Sequence, residues 1–226
     1  MAKILTIETS TALCSVALCI DSKCVASRRS GLDRSHASMT AVYCDEVLKE
    51  AGLKPGELDA VCISDGPGSY TGLRVGHSTA KGLCFGAGLK LLSVRSLDVL
   101  AEMGAELRPS AALIVPMVDA RRMEVYTARY AAGETGPERI SEIEALIVEE
   151  GAFSDVPQDC LFIGDGAVKC REAIGRGEFI ETYPDAAAMG RLAEKEYAAQ
   201  QWRDVAYCEP FYLKDFVATS PKKKLF

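Results

Sequence analysis

The segment Ser64-Asp65-Gly66-Pro67-Gly68-Ser69-Tyr70-Thr71-Gly72-Leu73-Arg74-Val75-Gly76 follows an apolar run at residues 59–64 and opens a helical pattern that continues through Ala80-Lys81-Gly82-Leu83 to about Gly86. Gly66 and Gly68 around Pro67 force a turn lined by backbone, so the chain here reads as strand, tight turn and helix. Such a turn leaves amides uncovered, and the start of the following helix adds a partial positive charge suited to phosphate or carboxylate. Neither common phosphate code fits. From Gly66, a Walker loop requires glycine at the position of Thr71, and so does the third glycine of a dinucleotide fingerprint.

The rest of the chain alternates short apolar runs with helical periodicity, which defines an α/β class. Residues 4–8 read as a strand, and residues 15–20 and 23–27 as a hairpin across Asp21-Ser22. From residue 36 to 51, Met39, Val42, Tyr43, Val47 and Leu48 recur at spacings of three and four, and Gly52 stops the helix. Residues 90–94 form the next strand, and Ser96 caps a helix to residue 105. After Arg108-Pro109 the pattern restarts. Strand 112–118 leads through Asp119-Ala120-Arg121-Arg122 to strand 123–130, strand 160–163 ends at Gly164-Asp165-Gly166, and a helix covers 186–202. Residues 140–153 fit strand and helix equally. The boundary divides the chain into residues 1–107 and 108–226, the last residues expected to pack back on the first lobe, with a shared order of elements but no repeat at the residue level.

Several function classes are excluded early. The longest apolar runs are too short to cross a bilayer, and the N-terminus enters a strand without a signal-peptide layout, so a cytoplasmic protein is expected. A net charge of -6 disfavours stand-alone RNA binding, and Lys222-Lys223-Lys224 reads as a solvated terminus. Nine cysteines without a C-x-x-C pair suggest neither a disulfide framework nor a zinc ribbon. His36 and His77 have no second ligand at metal spacing, and there is no Gly-x-Ser-x-Gly elbow. Glu8, Asp65, Asp119 and Asp165 stand at strand ends, where α/β proteins carry acidic catalytic groups and where aspartate also forms turns. Gly72, Gly76, Ala80 and Cys84 lie four apart on one side of the helix after the turn, which lets another backbone come close, either in the core or across a subunit interface.

At Ile7-Glu8-Thr9-Ser10-Thr11, at the glycine motif through Leu83, and at Asp119-Ala120-Arg121-Arg122-Met123-Glu124-Val125-Tyr126, the chain resembles the TsaB (YeaZ) family, related to TsaD and to the glycoprotease-like superfamily. The resemblance implies a two-lobed actin-like, Hsp70-like ATPase fold with ribonuclease H-like mixed sheets and flanking helices. It implies a non-catalytic partner of TsaD in forming N6-threonylcarbamoyladenosine beside the tRNA anticodon, one that activates TsaD and helps recruit TsaE. The expected interface residues are His36, Met39, Thr40, Tyr43, Val47, Thr71, Arg74, Val75, Gly76, His77, Thr79, Ala80 and Leu83. On this reading the small-residue stripe through Gly76 and Ala80 lies against the partner, and the chain pairs with itself when TsaD is absent. A vestigial nucleotide site is expected at Glu8, Thr9, Ser10, Thr11, Gly66, Gly68, Asp119, Arg121, Gly164 and Gly166, with ATP or ADP and a metal ion belonging to TsaD and TsaE. Ser96 and Leu100 stand where TsaD carries its metal-binding histidine pair. The competing readings are an ATP-dependent small-molecule kinase of the same fold and a metallopeptidase.

Overall fold

In the computed structural model, residues 2–30 and 36–214 are described. The first sheet is built from β1 (Lys3–Glu8), β2 (Ser15–Ile20), β3 (Lys23–Arg29), β4 (Ala60–Ser64) and β5 (Lys90–Val94) in the order β3-β2-β1-β4-β5. Strand β1 pairs antiparallel with β2 and parallel with β4. Helices α1 (His36–Glu50) and α2 (Tyr70–Ala87) cover one face, where Leu5, Ile7, Val16 and Leu18 meet Cys44, Val47, Leu48, Ala80 and Cys84. The alternate residues of the same strands, among them Ile4, Ala17, Cys62 and Leu92, pack on the opposite face. Burial on both faces is why these strands read as nearly continuous apolar runs.

The second sheet repeats this plan. Strands β6 (Leu113–Asp119), β7 (Glu124–Thr127), β10 (Glu144–Ile147), β11 (Leu161–Ile163) and β12 (Glu178–Ile180) run in the order β10-β7-β6-β11-β12, with β8 (Tyr130–Gly133) and β9 (Gly136–Arg139) attached to β6. Like β1, strand β6 has an antiparallel neighbour, β7, and a parallel one, β11. Helix α3 (Ser96–Leu107) lies between the sheets, with Val99 in the core of the first and Leu97, Leu100 and Ala101 in the core of the second. The short α4 (Arg171–Ile174) flanks the second sheet through Ile174. Helix α5 (Gly190–Ala198) follows the second sheet in sequence but returns to the first, where Ala193 packs with Ile4 and Leu92.

Four local expectations differ from the structure. Ser96 is the first residue inside α3 rather than its cap, because its hydroxyl accepts a hydrogen bond from Ser64 at 3.1 Å. The run 123–130 divides into β7 and β8, since Arg129 turns away to bond Ser141 and Ile140. Within residues 140–153 only Glu144–Ile147 is regular, as a strand on β7. The helix expected over 186–202 begins as a 3-10 turn, Ala186–Met189, and stops at Ala198. Trp202 extends the apolar pattern without being helical, because its ring packs edge-on against Tyr197 at 5.2 Å.

Candidate partner interface and nucleotide-type cleft

The glycine turn meets the expectation of close approach in an unexpected way, since what approaches is the chain itself. A Cβ on Gly68 would overlap the Ser10 carbonyl, one on Gly72 the Thr9 carbonyl oxygen, and one on Gly76 the Thr9 hydroxyl. The Ser69 amide donates to Ser10 O at 2.6 Å. Ser69 also caps α2, its hydroxyl accepting from the Gly72 amide. The turn and the first half of α2 are therefore seated on the loop after β1, and Glu8, Thr9, Ser10 and Thr11 are buried beneath them.

This burial redirects the interface expectation. Gly76, Ala80, Thr40 and Val47 are buried within the monomer, as are Gly72 and Cys84, so the stripe through Gly76 and Ala80 is covered by the chain's own Thr9 loop and sheet. His36 and His77 are also turned inward. His36 Nε2 lies 2.9 Å from Thr11 O and His77 Nδ1 2.9 Å from Leu73 O, and burial lowers the His77 pKa. The surface belongs to the opposite side of both helices. Met39, Tyr43, Val75, Thr79 and Leu83 are half-buried, Thr71 and Arg74 are exposed, and Ala37, Ala41, Val42, Ser78, Gly82 and Phe85, outside the expected set, are exposed beside them. Between the helices lies a groove of about 580 Å³ lined by Ala37, Tyr70, Thr71, Arg74, Val75, Ser78 and Thr79. Beside it, a Cβ on Gly82 or Gly86 would meet nothing within 4 Å. A glycine inside a helix costs about 1 kcal/mol relative to alanine, and no internal packing explains these two. The second small-residue stripe, Ser78-Gly82-Gly86 at spacings of four, was the available signal.

The acidic strand ends form two clusters. In the first, the Ser10 amide donates to Glu8 Oε1 at 2.5 Å, while Glu8 Oε2, Ser10 Oγ and Thr11 Oγ1 are buried without partners. Burial pushes the Glu8 carboxyl up to about 7, against the opposing hydrogen bond of the Ser10 amide and with the charge of Asp185 adding to the rise. Between the ordinary value of 4.5 and about 7 the folded chain holds a proton that the unfolded chain has released. Stability therefore falls as pH rises through that window and is level above it. Glu8→Gln removes the charge and keeps the shape. The variant should gain over the parent by up to about 3 kcal/mol at pH 8 and by little at pH 4. Urea midpoints at the two pH values check this; an equal difference at both would remove the account.

In the second cluster, Gly164 and Gly166 bring the loop after β11 onto β6, where a Cβ on Gly164 would overlap Met117 O and lie 3.1 Å from Leu100 Cδ1. Asp119 is held on several sides. Its amide donates to Asp165 Oδ1 at 3.0 Å, its Oδ1 accepts from the Arg121 amide at 2.7 Å, and Lys169 Nζ donates to the same oxygen at 2.5 Å. Burial, with Asp119 adding its charge, raises Asp165 to about 6. Lys169 was not foreseen; its ammonium forms a partly exposed ion pair with Asp119. Leu100 is fully buried in the core of the second sheet, and Ser96 bonds Ser64. Among the described residues, no three of histidine, cysteine, aspartate and glutamate converge as metal ligands. At the positions expected to hold a nucleotide, the Glu8–Thr11 loop lies under the glycine turn, and Asp119 is ion-paired with Lys169.

Two sheets of one plan, joined through α3 with acidic residues at their strand ends, define the actin-like ATPase fold. The same fold relates the chain to a component of (R)-2-hydroxyglutaryl-CoA dehydratase from Acidaminococcus fermentans (12% identity, TM-score 0.52, 88% of this chain and all of that one). Residues 30–222 match the family model described as TsaD, tRNA N6-adenosine threonylcarbamoyltransferase. The tRNA threonylcarbamoyladenosine biosynthesis protein TsaB of Haemophilus influenzae is 31% identical over 95% of this chain and 94% of its own. The structure of YeaZ from Pseudomonas aeruginosa superposes with a TM-score of 0.81 at 26% identity, covering 94% of this chain and all of that one. The chain belongs to the TsaB (YeaZ) family.

Proposed function

We propose that this chain is the non-catalytic partner of TsaD in tRNA threonylcarbamoyladenosine biosynthesis, the process for which its relatives are named. It docks on TsaD through the α1–α2 groove, activates it and helps recruit TsaE for modification of adenosine 37 in tRNAs that read codons beginning with A. The observation that carries this reading is the open stripe Ser78-Gly82-Gly86 beside the groove, whose helix-weakening glycines no contact inside the monomer requires. The packed Glu8–Thr11 loop and the Lys169–Asp119 pair support a cleft that holds no nucleotide or metal of its own, so ATP or ADP and the metal ion belong to TsaD and TsaE. With a net charge of -6 the chain reaches tRNA only within the complex, in the cytoplasm. Without TsaD, the same groove pairs two copies of the chain. The two lobes of this reading are residues 1–107 and 108–226.

The test mixes the purified chain with its cognate TsaD and TsaE, follows mass by light scattering, and assays threonylcarbamoyl transfer to tRNA with each protein alone and together. The expected result is a complex and transfer that needs both TsaD and this chain. Transfer by TsaD at full rate without this chain, or no complex, would reject the reading.

A further inference from the structure

Between α5 and residue 214 the chain has almost no regular structure, yet it is anchored along its whole course. The Arg203 amide donates to Leu91 O at 2.8 Å and its Nε to Ser93 Oγ at 2.9 Å, fastening it to the edge strand β5. Val205 and Cys208 pack on the core beneath α1 and α2, and Lys81 Nζ donates to Ala206 O at 3.1 Å. The segment then crosses the glycine turn. The Phe211 amide donates to Asp65 O at 2.7 Å, the Arg95 guanidinium lies 4.0 Å over the Phe211 ring, and a Cβ on Gly66 would come within 2.9 Å of Phe211 O. Next, Tyr212 stacks on Tyr70 with ring centroids 4.6 Å apart, and Lys214 forms an ion pair with Glu124 and lies 6.0 Å from the Tyr126 ring. Glu124 closes the β6–β7 hairpin: its carbonyl accepts from the Ala120 amide and from Lys169. One segment therefore ties the edge of the first sheet, the glycine turn and the hairpin of the second sheet together.

Tyr70, where the segment rests, also lines the α1–α2 groove. Its ring carries Tyr212 and, 4.5 Å from its centroid, the guanidinium of Arg74, the one charged side chain among the described residues that line the groove. We propose that residues 203–214 form a strap that latches the β6–β7 hairpin to the start of α2, and that the Arg74–Tyr70–Tyr212 stack makes the latch respond to what occupies the groove. A partner that brings a carboxylate to Arg74 draws it from Tyr70, loosens Tyr212 and frees Lys214 from Glu124. Docking is thereby transmitted to the Asp119–Arg122 turn. The second half of this inference rests on the docking reading above; the strap itself does not.

Hydrogen exchange on the chain alone, in its monomeric state, separates the two. Tyr212→Ala and Lys214→Gln should each speed exchange at residues 120–125 roughly ten-fold while the amides of β1 and β4 stay protected. Unchanged exchange at the hairpin, or equal loss of protection in β1 and β4, would overturn the strap. Arg74→Ala should also speed exchange at the hairpin. No change there would break the link between groove and latch. Full exchange effects in a chain that does not bind TsaD would reject the docking reading and leave the strap standing.

Discussion

A Gly72→Leu chain is expected to lose its fold, with Gly76→Leu close behind. The Cβ of any residue at 72 overlaps the carbonyl oxygen of Thr9. Leucine would add three more carbons to a space already filled by backbone. Neither side can yield. Thr9 follows β1, a central strand whose Leu5 and Ile7 are fully buried, and the next carbonyl, Ser10 O, holds the Ser69 amide at 2.6 Å. Overpacking a core side chain costs about 1–3 kcal/mol when neighbours repack, and backbone overlap exceeds that range because it displaces a hydrogen-bonded turn. A loss above about 4 kcal/mol consumes most of the stability of a domain at the low end of the usual range of about 5–15 kcal/mol. Urea or thermal unfolding measures it. A Gly72→Leu midpoint within a few degrees of the parent would show that α2 can withdraw from the β1 loop, and that the turn is not seated as described.

Two glycine-bearing rows explain how far the sequence could be read. Gly72, Gly76, Ala80 and Cys84 form one row on α2 and Ser78, Gly82 and Gly86 another, both at spacings of four. Helical periodicity locates the helix and shows that small residues line it, but two similar rows leave open which faces inward. The choice is made by Thr9 and Ser10, which are some sixty residues away and contribute backbone oxygens that no side-chain pattern reveals. The buried strands were legible for the opposite reason: with apolar cores on both faces of the first sheet, its central strands cannot avoid continuous apolar runs. Glu8, Asp119 and Asp165 were visible because strand ends collect functional acids. Lys169 was not, because nothing local ties it to Asp119, its ion-pair partner across 50 residues of sequence. Of the strap, only a return of the last residues to the first lobe was foreseen. Its anchors are single aromatic rings and backbone amides spaced without period, so neither the pattern of two nor that of 3.6 marks it.

Ser78→Arg is expected to leave the monomer folded and to weaken assembly with TsaD roughly 100-fold, about 2.8 kcal/mol. Ser78 is exposed in the groove and one helical turn from Arg74, so an arginine there fills the space that a facing helix needs and sets a second cation beside the first. Arginine is a better helix former than serine, which removes unfolding as an explanation. Gly82→Ala supplies the complementary measurement. Its added methyl meets nothing within 4 Å, so the monomer should gain up to about 1 kcal/mol, as glycine-to-alanine changes do in a helix interior. Gly82→Leu should keep that folded monomer and lose the complex, since a large side chain holds the two backbones apart. Binding by light scattering or calorimetry, read beside unfolding midpoints for all three variants, tests the face directly. Stable monomers that bind TsaD as tightly as the parent would place the interface elsewhere and leave the glycines of α2 without an offset. Stable monomers that fail to bind, and that fail to support threonylcarbamoyl transfer in proportion, would tie the loss of activity to the groove alone, because Glu8, Asp119 and Lys169 are untouched in each variant.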